Sequence, residues 1–307
     1  MAGGVERALR RRIKSVQSTK KITRAMELIA ASRIVKAQQR VLAARPYIEQ
    51  LTTVIANLSR AGAGASHPLL EDRPTVATVG YIVVTADRGL CGGYNATMQR
   101  TAERAITADQ AAGRDYRLIP VGRKGANFFR YRKFRVDASF TGFSENPTYE
   151  DARAIAADVL DRYQSGEIDR VVLIYTRFLS LGSQRPAERQ MLPMDPTAIA
   201  ETVPEEKTGS ADSYEFEPSP EEILAELLPR YVEARLFGAL LEAAASEQAA
   251  RQRAMKAATD NANELIKNLN RIANRARQDA ITTEIMEIVG GAEGLAQAAA
   301  SETVAAE

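Results

Sequence analysis

Apolar residues recur every three or four positions along two long stretches, one towards each end of the chain. The first stretch carries them at Ile34, Ala37, Val41, Ala44, Ile48, Leu51, Ile55 and Leu58. The second stretch carries them at Ala258, Ala262, Leu265, Leu269, Ile272 and Ala276. This spacing is typical of the seam of a coiled coil. Two such seams around a different central segment predict that the chain leaves a helix pair, folds a domain and returns antiparallel.

The central segment alternates between two kinds of pattern. Two continuous β-branched runs, Val79–Ala86 and Arg170–Phe178, are typical of strands that are buried on both faces. A further strand is predicted at Arg117–Val121, with an edge strand at Gln190–Met194. Helical spacing separates these strands at Asn95–Ala112, Lys124–Tyr131 and Tyr149–Gln164. The predicted fold class is therefore α/β plus coiled coil, with a mostly parallel, Rossmann-like domain inserted between two long antiparallel helices.

The predicted domain boundaries follow from helix start and stop signals. They are an N-terminal coiled-coil helix at 1–60, an α/β domain at 75–200, a C-terminal coiled-coil helix at 219–290 that pairs antiparallel with 1–60, and a flexible tail at 291–307. Pro46 predicts a kink or break in the first helix, because proline in a helix interior costs about 3 kcal/mol. Ser219 and Glu222 form a capping box at the start of the second helix. Gly290 and Gly291 are expected to end it.

The relative length of the two helices can be estimated by aligning them antiparallel. If Leu58 lies level with Ile223, then Val5 lies level with Ala276. Residues after Ala276 then extend beyond their partner helix, and this extension carries the apolar residues Ile281, Ile285, Ile288 and Val289. Because such an apolar surface is unfavourable in water, we expect another protein to enclose it.

Composition excludes several classes of function. The single cysteine, Cys91, allows no internal disulfide, and the single histidine, His67, argues against histidine-based catalysis and histidine-rich metal sites. The acidic residues show no pair with the spacing of a general acid and base. We therefore expect a chain that is not itself an enzyme and has no cofactor or metal site. With no leader-like or membrane-spanning apolar run, a soluble cytoplasmic protein is expected.

Charge is distributed unevenly, although the net charge is only +2. Basic residues dominate Arg7–Arg45, and acidic residues dominate Glu201–Glu226. This asymmetry indicates a charged partner, which could be nucleic acid or an acidic protein surface. One alternative function is thus a basic coiled-coil nucleic-acid-binding protein. A second alternative is an anion-binding α/β domain, because the glycine-rich DRGLCGGYN follows a strand and opens a helix, although its glycines match no phosphate-binding pattern.

Three segments resemble one known family along nearly the whole chain. They are RIKSVQSTKKITRAMELIAASRIVKAQ, TADRGLCGGYN and SEQAARQRAMKAATDNANELIKNLNRIANRARQDAITTEIMEIVGGA. In this order they resemble the gamma subunits of bacterial F-type ATP synthases. Gly294 departs from the usual C-terminal signature. The chain lacks the cysteine pair of the chloroplast form, so thiol regulation is not expected.

The resemblance implies a non-catalytic central-stalk rotor that couples rotation of the c ring to ATP synthesis and hydrolysis, and regulates ATPase activity and proton flow. The implied partners are three alpha and three beta subunits, the epsilon subunit and the c-subunit ring, with no nucleic acid. Nucleotide would bind to alpha and beta. The chain would be peripheral on the cytoplasmic face of the cell membrane, and would meet the membrane only through the c ring.

The resemblance also implies which residues contact partners. Met26 in KITRAMELIA and Arg251 in SEQAARQRAM would meet an acidic loop of beta, and the register estimate places these two side by side. Four residues beyond the paired region would contact other beta loops: Arg277, Gln278, Thr282 and Glu284. Three residues in SYEFEP would lie near epsilon and the c ring: Tyr214, Phe216 and Glu217.

Overall fold

The computed structural model describes residues 2–60, 67–195 and 219–304, which form five helices and four strands. In chain order the elements are α1 (Ala2–Arg60), β1 (Thr78–Val84), α2 (Tyr94–Ala111), β2 (Asp115–Val121), α3 (Arg123–Tyr131), α4 (Tyr149–Gln164), β3 (Arg170–Phe178), β4 (Gln184–Leu192) and α5 (Pro220–Val304). The predicted fold class is confirmed, because two long terminal helices flank an α/β segment.

The four strands form one sheet in the order β2-β1-β3-β4. Both neighbours of β1 run parallel to it, whereas β4 runs antiparallel to β3 along the edge. The two central strands are buried along almost their whole length, as their continuous apolar runs predict. The edge strand begins at Gln184, six residues before the predicted start at Gln190, because its exposed polar residues gave no buried-strand signal.

Alternate residues of the central strands pack against different helices, because successive strand side chains point to opposite faces. On one face, Ile82 and Leu173 belong to a core shared with α1, α4 and α5. On the other face, Tyr81 and Ile174 pack with Met98 of α2 and with residues of α3. The sheet therefore lies between two helical layers, and the predicted placement of helices on both faces is confirmed.

Neither of the predicted breaks in the long helices occurs, and the alternative of a kink at Pro46 stays a prediction. α1 continues through Pro46, and α5 continues through Gly290 and Gly291 to Val304. Each glycine costs a helix only about 1 kcal/mol relative to alanine, and the sequence beyond is rich in alanine, the best helix former. The expected flexible tail at 291–307 is thus helical as far as Val304. The start of α5 was predicted correctly, since the Ser219 hydroxyl accepts a hydrogen bond from the Glu222 amide at 3.2 Å.

The chain divides into two compact units. The helix-pair unit combines the residues up to Glu27 with those from Met255 onward, and the domain unit is Leu28–Ala254. Within the helix-pair unit, Ile13 is buried against Leu269 and Ala273. The hydroxyls of Thr23 and Thr259 lie 2.8 Å apart in a hydrogen bond. These contacts place the two helices antiparallel, within one residue of the register expected from the sequence.

Candidate functional site

The glycine-rich loop after β1 is held in place by the carboxylate of Asp87. One carboxylate oxygen accepts hydrogen bonds from the amides of Gly142 (2.9 Å) and Ser144 (3.0 Å), and the other accepts one from the amide of Arg123 (3.0 Å). Burial alone would raise the pKa of Asp87, but these hydrogen bonds outweigh burial and lower the pKa. These hydrogen bonds fix the turn, and both oxygens of the Asp87 carboxylate already have donors within the chain.

Cys91, in the same loop, is a packed side chain. It lies with Ala86 and Tyr94 in a small buried cluster against α5. Burial, followed by the nearby Glu247 carboxyl, raises the pKa of the thiol, which opposes thiolate formation. The Asn95 side-chain amide donates to its Sγ at 3.2 Å. These contacts explain the cysteine structurally and provide no activating base for a nucleophile.

Arg251 lies on α5 beside this loop and is only 6% exposed. Its guanidinium contacts the Glu247 carboxylate at 2.6 Å and the Gly89 carbonyl oxygen at 3.4 Å. The Glu145 carboxylate lies 3.5 Å from a second guanidinium nitrogen. Burial raises the pKa of Glu247, and the Arg251 charge opposes that rise. The guanidinium is therefore engaged within the domain unit, and its predicted contact with beta stays a prediction.

Met26 is half-buried in the helix-pair unit. The next residue, Glu27, is buried and accepts two hydrogen bonds from the Arg24 guanidinium at 2.8 and 2.9 Å. Met26 and Arg251 fall in different units, so their predicted proximity to each other also stays a prediction.

The polar residues predicted near the end of α5 share one property, which is that all of them are exposed to solvent. They are Arg277, Gln278, Thr282 and Glu284. From Arg277 to Gly294 every described side chain is exposed except that of Ala280, which is half-buried. Large apolar side chains lie among them, including Ile285 (53% exposed), Met286 (69%) and Ile288 (67%). This segment of α5 offers both directional hydrogen-bonding groups and an uncovered apolar surface.

Some predicted contacts fall outside the described residues, and some structural contacts were missed. Tyr214, Phe216 and Glu217 lie outside the ranges that the structure describes. Sequence reasoning missed Glu247, although it precedes Arg251 by four residues, a spacing that places both on one helix face. It also missed Asp87 and Glu145, whose partners are distant in sequence and gave no local signal.

Residues 2–60, 67–195 and 219–304 contain no group of His, Cys, Asp and Glu side chains that could hold a metal ion. Over the same ranges, none of the helices combines the length and hydropathy needed to cross a bilayer.

Comparison with known proteins identifies close relatives along almost the whole chain. Residues 6–295 match a family model described as ATP synthase. The ATP synthase gamma chain of Frankia casuarinae is 51% identical over 300 residues, covering 96% of this chain and 99% of that one. The ATP synthase gamma chain of Mycolicibacterium smegmatis is 48% identical over 304 residues, covering 94% and 97%.

Solved structures give the same architecture. A chain of the Tetrahymena thermophila mitochondrial ATP synthase, from its central stalk and c ring, superposes with a TM-score of 0.58 at 25% identity, covering 77% of this chain and 99% of that one. A chain of the Euglena gracilis mitochondrial ATP synthase, from an assembly of F1 with the c ring, has a TM-score of 0.66 at 18% identity, with 95% of both chains covered. Because its identity is only 18%, the second match shows a shared fold and nothing more.

Proposed function

The chain belongs to the ATP synthase gamma chain family, and we propose that it couples rotation of a c-subunit ring to ATP synthesis and hydrolysis at alpha/beta sites. It is the central-stalk rotor subunit, a subunit that does not itself carry the catalytic site. Proton transport is the activity of the whole complex, in which this chain would lie on the cytoplasmic face of the membrane. Its contact with the membrane would be indirect, through the c ring.

One observation supports a rotor most directly. Between Arg277 and Gly294, α5 exposes nearly every side chain, including Ile281, Ile285 and Met286. A helix with this much apolar surface is stable in water only when another surface covers it at least part of the time. A surrounding ring of alpha and beta subunits provides such a cover. Polar groups dispersed among the apolar ones supply contacts that can form at one angle and break at the next.

Torque would be transmitted through the contacts between this chain and the beta subunits. Arg277, Gln278, Thr282 and Glu284 would form hydrogen bonds to beta loops that change with angle. Met26 and Arg251 would contact an acidic loop of beta. Rotation biases the catalytic sites only if these contacts differ in free energy between angular positions, because a contact of equal strength at every angle shifts no equilibrium.

Reconstitution tests the proposal. The isolated chain is expected neither to hydrolyse ATP nor to bind it tightly in calorimetry. Co-purification with alpha and beta, followed by addition of the membrane sector, is expected to give proton pumping driven by ATP. A stable cellular complex of this chain that lacks alpha and beta would contradict the proposal.

A substitution at Met26 tests the acidic-loop contact. Met26→Lys adds a positive charge where an acidic loop is expected, so the contact should tighten and ATP synthesis in membranes should fall. Met26→Leu keeps a similar volume without the charge and serves as the control. Equal ATP synthesis in the Lys and Leu variants would refute the contact.

A further inference from the structure

Three arginines from three different elements of the domain unit converge on the carboxylate of Glu145. Arg33 comes from α1 and forms a close hydrogen-bonded ion pair with one carboxylate oxygen. Arg88 comes from the glycine-rich loop and Arg251 from α5, and they approach the other oxygen at 3.7 and 3.5 Å. Glu145 itself lies in the connection between α3 and α4, and 22% of its side chain is exposed.

The segment around Glu145 is anchored on both sides. On the sheet side, the Asp87 carboxylate accepts the amides of Gly142 and Ser144, as described above. On the helix side, the Arg40 guanidinium donates to the Asn146 side-chain oxygen and to the Pro147 carbonyl. Residues 142–147 therefore link the α/β sheet to α1 through hydrogen bonds and ion pairs.

Apolar packing and ion pairs both contribute to this link, because Phe143 packs against the core that includes residues of α1 and α5. A cavity of about 280 Å³ lies between residues 145–146 and the two long helices, and is lined by the stems of Arg33, Lys36 and Arg40 together with Leu241 and Ala244. At residues 145–146, where the cavity replaces close packing, the contacts to the helices are the polar ones made by Arg33 and Arg40.

Arg251 depends on Glu145 as well. One of its terminal nitrogens contacts Glu247, but the other, which is buried, has no hydrogen-bond partner within the described residues. Glu247, at 2.6 Å, is the closer counter-charge, and Glu145, at 3.5 Å from the nitrogen without a hydrogen bond, is the second. Removal of the Glu145 charge would leave Arg251 paired with Glu247 but without a counter-charge on its other nitrogen, which would weaken the contact of the segment with α5 as well as with α1.

We propose that Glu145 is a positioning residue that transmits torque between the α/β domain and the helices α1 and α5. By binding Arg33, Arg88 and Arg251 together, it resists rotation of the helices against the sheet. The inference rests on the proposed rotor function. A rotor without this link still turns when the catalytic sites drive it, but the α/β domain yields against its helices under load and slips past the c ring on some turns.

The test compares two glutamate substitutions in the complete membrane-bound complex. Glu145→Gln keeps the shape of the side chain and removes its charge. Glu150→Gln makes the same change at a side chain that is 79% exposed and lies 3.9 Å from the Arg153 guanidinium, and it is the control. The measured quantity is the number of protons pumped per ATP hydrolysed, from vesicle acidification and phosphate release in the same sample.

For Glu145→Gln we expect a partial loss of this ratio, because turns in which the rotor slips hydrolyse ATP without moving protons. ATP hydrolysis is expected to persist, which a general folding defect would not allow. Glu150→Gln should match the wild type. Wild-type vesicles that do not pump protons would contradict the rotor function itself. Wild-type pumping with an unchanged ratio in Glu145→Gln would contradict only the role of Glu145.

A milder variant covers the case in which Glu145→Gln does not assemble. Arg88→Gln removes one exposed partner and leaves Glu145 paired with Arg33 and Arg251. We expect it to assemble and to lower the ratio in the same direction by a smaller factor. An Arg88→Gln complex with the wild-type ratio, together with a Glu145→Gln chain that fails to assemble, would assign Glu145 to folding and overturn the inference.

Discussion

The helix-pair unit and the domain unit are stabilised by different kinds of core. In the domain unit a sheet is covered on both faces, and large side chains such as Tyr81, Phe129 and Tyr163 are at most 2% exposed. In the helix-pair unit the core is one narrow seam, in which Ile13 contacts Leu269 and Ala273. Hydrophobic stabilisation scales with the apolar area removed from water, at about 25 cal/mol per Å². The seam therefore stabilises its helices less per residue.

This difference fits the different tasks of the two units. A domain with a core on both faces of its sheet is stable without burial against a partner protein. A narrow helix pair leaves apolar surface for a partner, and α5 leaves the most from Arg277 onward. We expect local unfolding to begin in the helix-pair unit and to be suppressed when alpha and beta enclose it.

The largest expected effect distinguishes the two cores. Phe129→Ala removes a fully buried ring from the α3 layer and should lower the free energy of unfolding by about 3–5 kcal/mol. Leu269→Ala removes a seam side chain that is 6% exposed and should cost about 2 kcal/mol, mainly within the helix-pair unit. Urea unfolding gives the global effect, and hydrogen exchange locates it. Equal costs at both sites would refute the contrast between the cores.

The next prediction concerns glycine-to-alanine substitutions, which are expected to destabilise the domain unit at one position and to stabilise the helix-pair unit at another. Gly122 has a φ of 96°, and a Cβ there would overlap the Thr85 carbonyl oxygen, so Gly122→Ala should cost on the order of 3 kcal/mol. Gly291 lies in a helix with nothing near its Cβ position, so Gly291→Ala should stabilise the end of α5 by up to about 1 kcal/mol. Thermal unfolding measures the first change, and hydrogen exchange near residue 291 measures the second. A stabilising Gly122→Ala would show that the turn after β2 differs from the structure.

A smaller effect depends on pH and on the loop of the domain unit. The pKa of Asp87 is lowered in the folded chain, so its contribution is complete above the ordinary value of 3.8 and is lost as the pH falls through the folded-state pKa. Asp87→Asn should cost about 2 kcal/mol at neutral pH, because hydrogen bonds to a charged acceptor are replaced. It should also flatten the acid side of the stability curve. Asp161→Asn, at an exposed position, is the control. An acid limb that is the same in Asp87→Asn and the wild type would contradict this assignment.

The smallest expected effect lies in the seam of the helix-pair unit. Thr259→Val keeps the shape of a buried side chain but removes its 2.8 Å hydrogen bond to Thr23, which should cost about 1 kcal/mol. Thr283→Val makes the same change at an exposed position and should change the free energy of unfolding by no more than about 0.5 kcal/mol. Hydrogen exchange of residues 255–265 is the readout. Faster exchange in both variants would mean that helix propensity, rather than the seam contact, controls this region.

Local patterns predicted the regular elements well and the tertiary contacts poorly. The predicted β3 agrees with the observed Arg170–Phe178 at both ends, because a buried central strand is apolar throughout. The glycines at 290 and 291 misled the prediction, because a local helix-stop signal was outweighed by the alanine-rich sequence that follows. The Asp87 and Glu145 contacts join residues at least 36 positions apart, so no periodicity or short motif could have found them. The predicted contacts with beta depend on another chain and stay predictions.

Direct observation of rotation tests the rotor assignment. A cysteine introduced at the exposed Lys133 allows a probe to be attached to the domain unit, whereas the native Cys91 is buried. With alpha and beta fixed to a surface and ATP supplied, the probe is expected to turn in one direction and to pause once for each beta subunit in every turn. A complex that hydrolyses ATP while the probe stays stationary or moves at random would contradict the account.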